Sequence, residues 1–268
     1  MDKWLAFLVL PVLVGIAAWA QNPAAAGEIR LTILYDNYGG GEGLQADWGF
    51  SCLVQGAEKT ILFDTGTKPD ILRGNVERLG VDLTRVDMIV ISHLHGDHTG
   101  GLEWVLSKKK DIAVVLPAMA SDGFMAKVRQ WGGQPLRVRE PMEICPRVFS
   151  TGELPADFDS SFTEQSLVFQ TTKGLLVLTG CSHPGIANIV RRAPAVAPGK
   201  PRVVLGGFHL MRKSDKEVRA IIQELQGMGV ERCGASHCTG DRAIELFRES
   251  FAERFLNLGV GAVLAFPW

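Results

Sequence analysis

Between residues 29 and 35 apolar and polar positions alternate, the two-residue period of a half-buried strand. Residues 48–55 and 59–63 read as two further strands around a turn at Gly56, a hairpin pattern. The period then lengthens. Pro69 sits where a helix begins, Ile71, Leu72, Val76 and Leu79 fall on one face, and Gly80 ends it. A short apolar run at 88–91 predicts a buried strand, followed by helix-compatible 102–107 and a strand at 111–116. Residues 117–165 show no sustained period. They hold Trp131-Gly132-Gly133, several prolines and one short strand pattern at 136–139, and are expected to be loop-rich and to shape access to a site; a structural insertion with no substrate role is the alternative.

Beyond them, 166–170 and 175–179 predict a second hairpin through Lys173-Gly174, and 202–205 another strand. Ser214 and Glu217 have the spacing of a capping box, opening a helix with Val218, Ile221, Ile222 and Leu225 aligned. Residues 230–235 lead into Ser236-His237. A last helix aligns Ile244, Phe247, Phe251 and Phe255, and a strand at 260–266 closes the chain. No repeat, long linker or low-complexity tract interrupts 28–268, so one α/β domain is expected there.

The first twenty residues follow another rule. Lys3 precedes a nearly unbroken apolar run to Trp19, and Ala18-Trp19-Ala20 fits the small-x-small cleavage pattern, so 1–20 reads as a secretory signal peptide. The run is short for a membrane span and Pro11 interrupts it; an uncleaved N-terminal anchor is the alternative. Residues 21–27 read as a disordered lead-in. The protein is therefore expected outside the cytoplasm, in the periplasm or secreted.

A hydrophobic content of 46% with 21% charged residues argues against disorder. A net charge of −1 gives no reason to expect nucleic acid or an anionic membrane as partner, which leaves a small-molecule substrate. Five cysteines (Cys52, Cys145, Cys181, Cys233, Cys238) leave one unpaired whatever disulfides form, and Cys181 and Cys238 each lie within two residues of a histidine.

The chemistry concentrates at residues 93–98, where His93, His95, Asp97 and His98 put four metal-capable side chains in six residues. Gly96, Gly100 and Gly101 let the backbone fold tightly around them. Imidazoles with one carboxylate suit zinc or a similar divalent metal better than calcium or magnesium. The remaining histidines, His183, His209 and His237, each follow an expected strand in a glycine-bearing turn, and strand ends gathered on one edge are how an α/β fold converges distant residues. Asp64 also ends an apolar strand. A buried carboxylate there would need a partner, and accepting a hydrogen bond from a ligand imidazole would provide one; capping the Asp64-Thr65-Gly66 bend is the alternative. Asn37 reads as an ordinary turn former.

The His-x-His-x-Asp-His stretch resembles the metal-binding signature of the metallo-β-lactamase superfamily. Asp64-Thr-Gly, Gly180-Cys-Ser-His-Pro-Gly, Gly206-Gly-Phe-His and His237-Cys-Thr-Gly, in that order, resemble its 7,8-dihydropterin-6-yl-methyl-4-(β-D-ribofuranosyl)aminobenzene 5′-phosphate synthase-like branch. The resemblance implies an αββα sandwich of two mixed sheets flanked by helices, holding two divalent metal ions. It implies His93, His95 and His183 on one ion and Asp97, His98 and His237 on the other. It also implies an aspartate bridging both from a later strand end, yet no acid follows either candidate strand here. Cys181 or His209 could stand in; alternatively the bridge is a hydroxide alone, and both residues lie behind the ligands or face substrate.

Such a centre implies hydrolysis of an ester-like bond (phosphoester, lactone, thioester or amide) by a metal-bound hydroxide that Asp97 orients. The branch name describes a synthase on a cytosolic route, which an exported chain does not suit. A redox diiron centre would want a carboxylate where His95 stands. A β-lactamase is disfavoured by His98 following Asp97 and by Cys181 preceding the later histidines. A metal-binding or sensor protein without catalysis is the remaining alternative.

Overall fold

The computed structural model describes residues 27–268; the signal-peptide reading of 1–20 and all but the last residue of the expected lead-in lie outside them. Two sheets face each other. The first has seven strands, in spatial order Val263–Pro267, Glu28–Tyr35, Ser51–Gln55, Ile61–Phe63, Met88–Val90, Ile112–Pro117 and Gly133–Val138. Its N-terminal half is an antiparallel meander, and from Ile61–Phe63 onward neighbours pair parallel. The second has six strands, in order Arg232–Ser236, Pro201–Gly207, Gly174–Thr179, Leu167–Thr171, Val148–Ser150 and Met142–Cys145. Leu167–Thr171 and Gly174–Thr179 form the expected hairpin, and the next two strands add in parallel.

Three apolar layers hold this arrangement. Between the sheets lie Ile29, Leu31, Phe50, Phe63, Val90, Phe169, Leu176 and Leu178, all under 2% exposed. Outside the first sheet the helices Pro69–Leu79 and Leu102–Lys108 lay Leu72, Leu79, Leu102 and Leu106 on Leu34, Leu62, Ile89 and Val114. Outside the second, Ile186–Val196, Asp215–Gly227 and Asp241–Phe251 cover Val177, Val204 and Ala235. The layer order is therefore αββα, with helices on both outer faces and the apolar sides of both sheets shared in the middle.

Local signals explain several elements. Lys68 is extended, Pro69 opens the helix, and Gly80 closes it in the left-handed conformation at φ 65°. The Ser214–Glu217 capping box is formed in both directions. The stretch 117–165 differs from expectation: it contains the helix Asp122–Gln130, the strand Gly133–Val138 and four shorter strands. Gly133–Val138 is an edge strand carrying Pro135 and three exposed residues, which removes the alternation that would have announced it. The helix Ile186–Val196, not anticipated above, buries Ile186, Ile189, Val190 and Ala193 at helical spacing ahead of Pro194 in its last turn. Phe255 lies beyond the last helix, just past a short 3₁₀ turn at Ala252–Arg254, yet is still buried against it. All five cysteines are free and buried. No helix among the described residues is long and apolar enough to cross a membrane.

Candidate metal centre

The candidate site residues follow strand ends on one rim of the sandwich, Asp97 and His98 within the one-turn helix Gly96–Thr99. Ile61–Phe63 delivers Asp64; Met88–Val90 leads to Ser92 and His93; Gly174–Thr179 to Cys181 and His183; Pro201–Gly207 to His209; Arg232–Ser236 to His237. The backbone is unusual there. Of the seven non-glycine residues with positive φ among those described, four are Asp64, Ser182, His209 and His237, with φ between 49° and 66°. A conformation disfavoured for L-residues, repeated at four strand ends around one point, marks this rim as the place where the fold holds its chain against local preference.

The metal turn is locked to the Asp64 loop. Thr65 N donates to the His98 carbonyl at 2.8 Å and Gly100 N to the Gly66 carbonyl at 2.9 Å. A methyl on Gly100 would sit 1.9 Å from the Thr67 carbonyl oxygen, which explains why this turn carries glycine.

The ligand-capable atoms fall into two neighbouring sets. In one, His98 Nε2 and His237 Nε2 are 3.2 Å apart, and Cys181 Sγ lies 3.2 and 3.3 Å from them. Asp97 Oδ2 is 3.7 Å from His98 Nε2 and 3.5 Å from His237 Nε2. In the other, the rings of His93, His95 and His183 meet edge to face, with centroids 4.7 to 5.0 Å apart. His93 groups with His95 and Asp97, and also with Cys181 and His183. His209, more exposed, groups with Cys181 and Cys238 instead, its ring 4.5 Å from that of His183.

What aims these rings is an outer ring of acceptors. His98 Nδ1 lies 2.7 Å from Asp64 Oδ2, His183 Nδ1 2.8 Å from Glu164 Oε2, and His237 Nδ1 3.0 Å from Asn37 Oδ1. Asn37 Nδ2 donates to the His237 carbonyl, so its oxygen is the atom left to face the ring. Ser92 spends its hydroxyl proton on Asp64 Oδ2 and can accept from His93 Nδ1 at 2.9 Å. With Nδ1 donating in all four, each neutral ring turns its Nε2 lone pair toward the centre. His93 Nε2 is buried there with no hydrogen-bond partner among the described residues. Lone pairs of His98 and His237 aimed at one another and at a sulfur are repulsive unless a cation stands among them. The residues therefore fit a divalent metal of zinc type: His93, His95, His183, Asp97, His98, His237 and Cys181 supply donors of the right kind.

Electrostatics agree. Burial opposes charge on His98, but the adjacent Asp64 carboxylate outweighs it and lifts the imidazole to about 9, so without a metal a proton is held here that a metal would displace. Burial, together with the crowd of neighbouring imidazoles, pushes His93 well down and keeps it neutral. Burial works against ionised Glu164, but its bond from His183 and the backbone N–H groups of Cys181, Ser182 and His183 hold it below the usual range.

Four of these residues escaped sequence reasoning. Glu164 lies in the stretch read as irregular; its one signal was an acid placed just ahead of a buried strand. Asn37 was read as a turn former, whereas its side chain seats His237. Ser92 and Trp48 carried no signal. Trp48 Nε1 donates to Asp97 Oδ2 at 2.8 Å, and its ring stands 5.2 Å from that of His237.

A cleft of about 650 Å³ opens beside the centre, lined by Trp48, His209, Met211, Arg212, Lys213, Glu217 and Cys238. A second opening of about 370 Å³, which shares His209 and Lys213 with the first, is lined by Phe158 and His183, whose rings stand 5.5 Å apart. Trp48, Phe158 and Met211 are three of the four large hydrophobic residues exposed among those described, so the apolar surface left open is concentrated at this rim.

Residues 49–186 match the sequence model of the Metallo-beta-lactamase superfamily. A 7,8-dihydropterin-6-methyl-4-(beta-D-ribofuranosyl)-aminobenzene-5′-phosphate synthase of Methanocaldococcus jannaschii is 28% identical over 292 aligned residues, 92% of this chain and 99% of the relative. The uncharacterized protein MJ0448 of the same organism is 30% identical over 226 residues, 74% of this chain and 86% of its own. Among solved structures, Tm1679, described as a metal-dependent hydrolase of the beta-lactamase superfamily, superposes with a TM-score of 0.75 at 29% identity. It covers 88% of this chain and 98% of its own.

Proposed function

The chain belongs to the metallo-beta-lactamase superfamily, and from that premise we propose that it is an exported hydrolase that works with a pair of zinc-class ions. The observation that carries this reading is the set of four imidazoles held by their Nδ1 atoms, with the buried Nε2 of His93 left without a protein partner. His93, His95 and His183 would hold one ion; Asp97, His98 and His237 the other. Bound there, the pair would supply an acidified water as nucleophile and a Lewis acid for the scissile bond.

The chain's own groups do the rest. Asp97 presents a carboxylate between the two sets and can orient the attacking water by accepting its hydrogen bond. Asp64 and Glu164 hold the rings of His98 and His183 so that no reorganisation is needed. Trp48, Met211 and Phe158 offer apolar walls. Arg212 lines the cleft with no carboxylate within ion-pair distance among the described residues, so the substrate class favoured is an ester-like compound joining an apolar body to an anionic group. The name of the M. jannaschii relative describes a synthase; an exported chain is better placed to break such compounds than to build them.

Two results follow. The His237→Ala protein should lose about one of two metal equivalents by elemental analysis and keep the other; retention of both would remove His237 from the ligands. Intact-mass measurement on protein from the native envelope should give a chain starting near Gln21, whereas a chain retaining 1–20 would show an anchor instead. The activity test is a panel of phosphoesters, lactones, thioesters and amides on the metal-loaded chain. Two bound ions with no turnover on any of them would favour a sensor.

A further inference from the structure

We propose that the thiolate of Cys181 is the fourth protein ligand of the ion at Asp97, His98 and His237, closing that shell and leaving the position open to substrate at His93, His95 and His183. This rests on the metal-pair reading and concerns how its two halves divide the work.

Separations come first. Donors around one tetrahedral ion at the usual ~2.0–2.3 Å stand roughly 3.3–3.8 Å apart. The five spacings fixed among Asp97, His98, Cys181 and His237 run from 3.2 to 3.7 Å, so the four atoms already outline such a shell. Cys181, like Asp97, is shared with the neighbouring set, since it also groups with His93 and His183. It thus occupies the ground between the two ions that a later aspartate was expected to fill, and a thiolate supplies the same single negative charge with a softer donor.

The backbone holds it there. Gly180 lets the strand end press against Ser92, where a methyl would lie 2.2 Å from the hydroxyl oxygen. Glu164 then accepts from the N–H groups of Cys181, Ser182 and His183 at 2.8–2.9 Å. Together these fix where the thiol must point. Burial separates the two sets. His98 and His237 are fully buried and Cys181 is 3% exposed, whereas His95 in the other set is open to solvent. A set in which His98, His237 and Cys181 are buried and only Asp97 reaches the edge approaches the pattern of a closed site, and three histidines with His95 in solvent that of a site receiving substrate.

Cobalt(II) titration of the full mature chain tests this, because a thiolate ligand gives an intense near-ultraviolet charge-transfer band that imidazole and carboxylate ligands lack. The wild type should show the band with two cobalt ions bound, and Cys238→Ser should keep it. Cys181→Ser should lose it and bind the second cobalt at least ~10²-fold more weakly, with the first ion retained. Persistence of the band in Cys181→Ser, or its absence from a wild type holding two cobalt ions, would overturn the proposal. If Cys181→Ser does not fold, Cys238→Ser decides alone. Cys52, Cys145 and Cys233 belong to no ligand group, so a band in that variant belongs to Cys181 and its loss sinks the idea. The readout is independent of turnover. A chain with the band that hydrolyses nothing contradicts the hydrolase reading only, and uptake of one cobalt per chain or fewer contradicts the metal pair itself.

Discussion

Asp97→Asn is expected to lower turnover by at least ~10²-fold, the scale of removing one preorganised charged group, while leaving the fold nearly intact. Asp97 lies at the partly exposed edge of the centre, its side chain 16% exposed. No apolar core rests on it, and its turn is pinned by backbone bonds from Thr65 and Gly100 that the substitution does not touch. What is lost is the negative charge between His98 and His237, which those imidazoles hold ionised well below the ordinary carboxylate range although burial opposes it. An amide keeps the oxygen that Trp48 Nε1 donates to, so the geometry should survive. The unfolding temperature should move by only a few degrees. Turnover near that of the wild type in a metal-loaded Asp97→Asn protein would mean that Asp97 has no part in the reaction.

Asp64→Ala should behave in the opposite way. This carboxylate is fully buried and accepts from the Ser92 backbone N–H at 2.7 Å, the Ser92 hydroxyl at 2.7 Å and His98 Nδ1 at 2.7 Å. Removing it strands a buried amide and leaves an imidazole without the partner that sets its tautomer. Breaking a buried pair of this kind costs about 3–5 kcal/mol. Affinity for the ion at His98 should also fall about 10–100-fold, since the ring loses its support. Chemical denaturation reads the first effect and competitive metal titration the second; a loss below about 1 kcal/mol would show that Asp64 is a replaceable turn cap. Two aspartates a few ångströms from the same imidazole thus separate rate from stability, because one is partly exposed and the other fully buried.

The sequence carried the layer order and the histidines for a common reason: both are written locally. Ile71, Leu72, Val76 and Leu79 share a helical face whatever lies beyond, and Pro69 and Gly80 mark its ends by their own backbone preferences. The six histidines stood out because each sits in a glycine-bearing turn after an apolar run. What supports them is written elsewhere. Asn37 and His237 are 200 residues apart, and Glu164 meets His183 across 19. Nothing near Asn37 distinguishes a turn former from a residue that seats an imidazole, because the difference is made by two sheets coming together. The same applies to Trp48, whose exposure alone would read as incidental. In 117–165 the cause is different: edge strands, prolines and a nine-residue helix carry too little burial to impose a period.

The central claim is that two ions sit among these seven residues, and the most direct measurement is the metal content of the mature wild-type chain. After equilibration with excess zinc and removal of the unbound metal, elemental analysis should give two zinc per chain. A ratio of one or below would contradict the account.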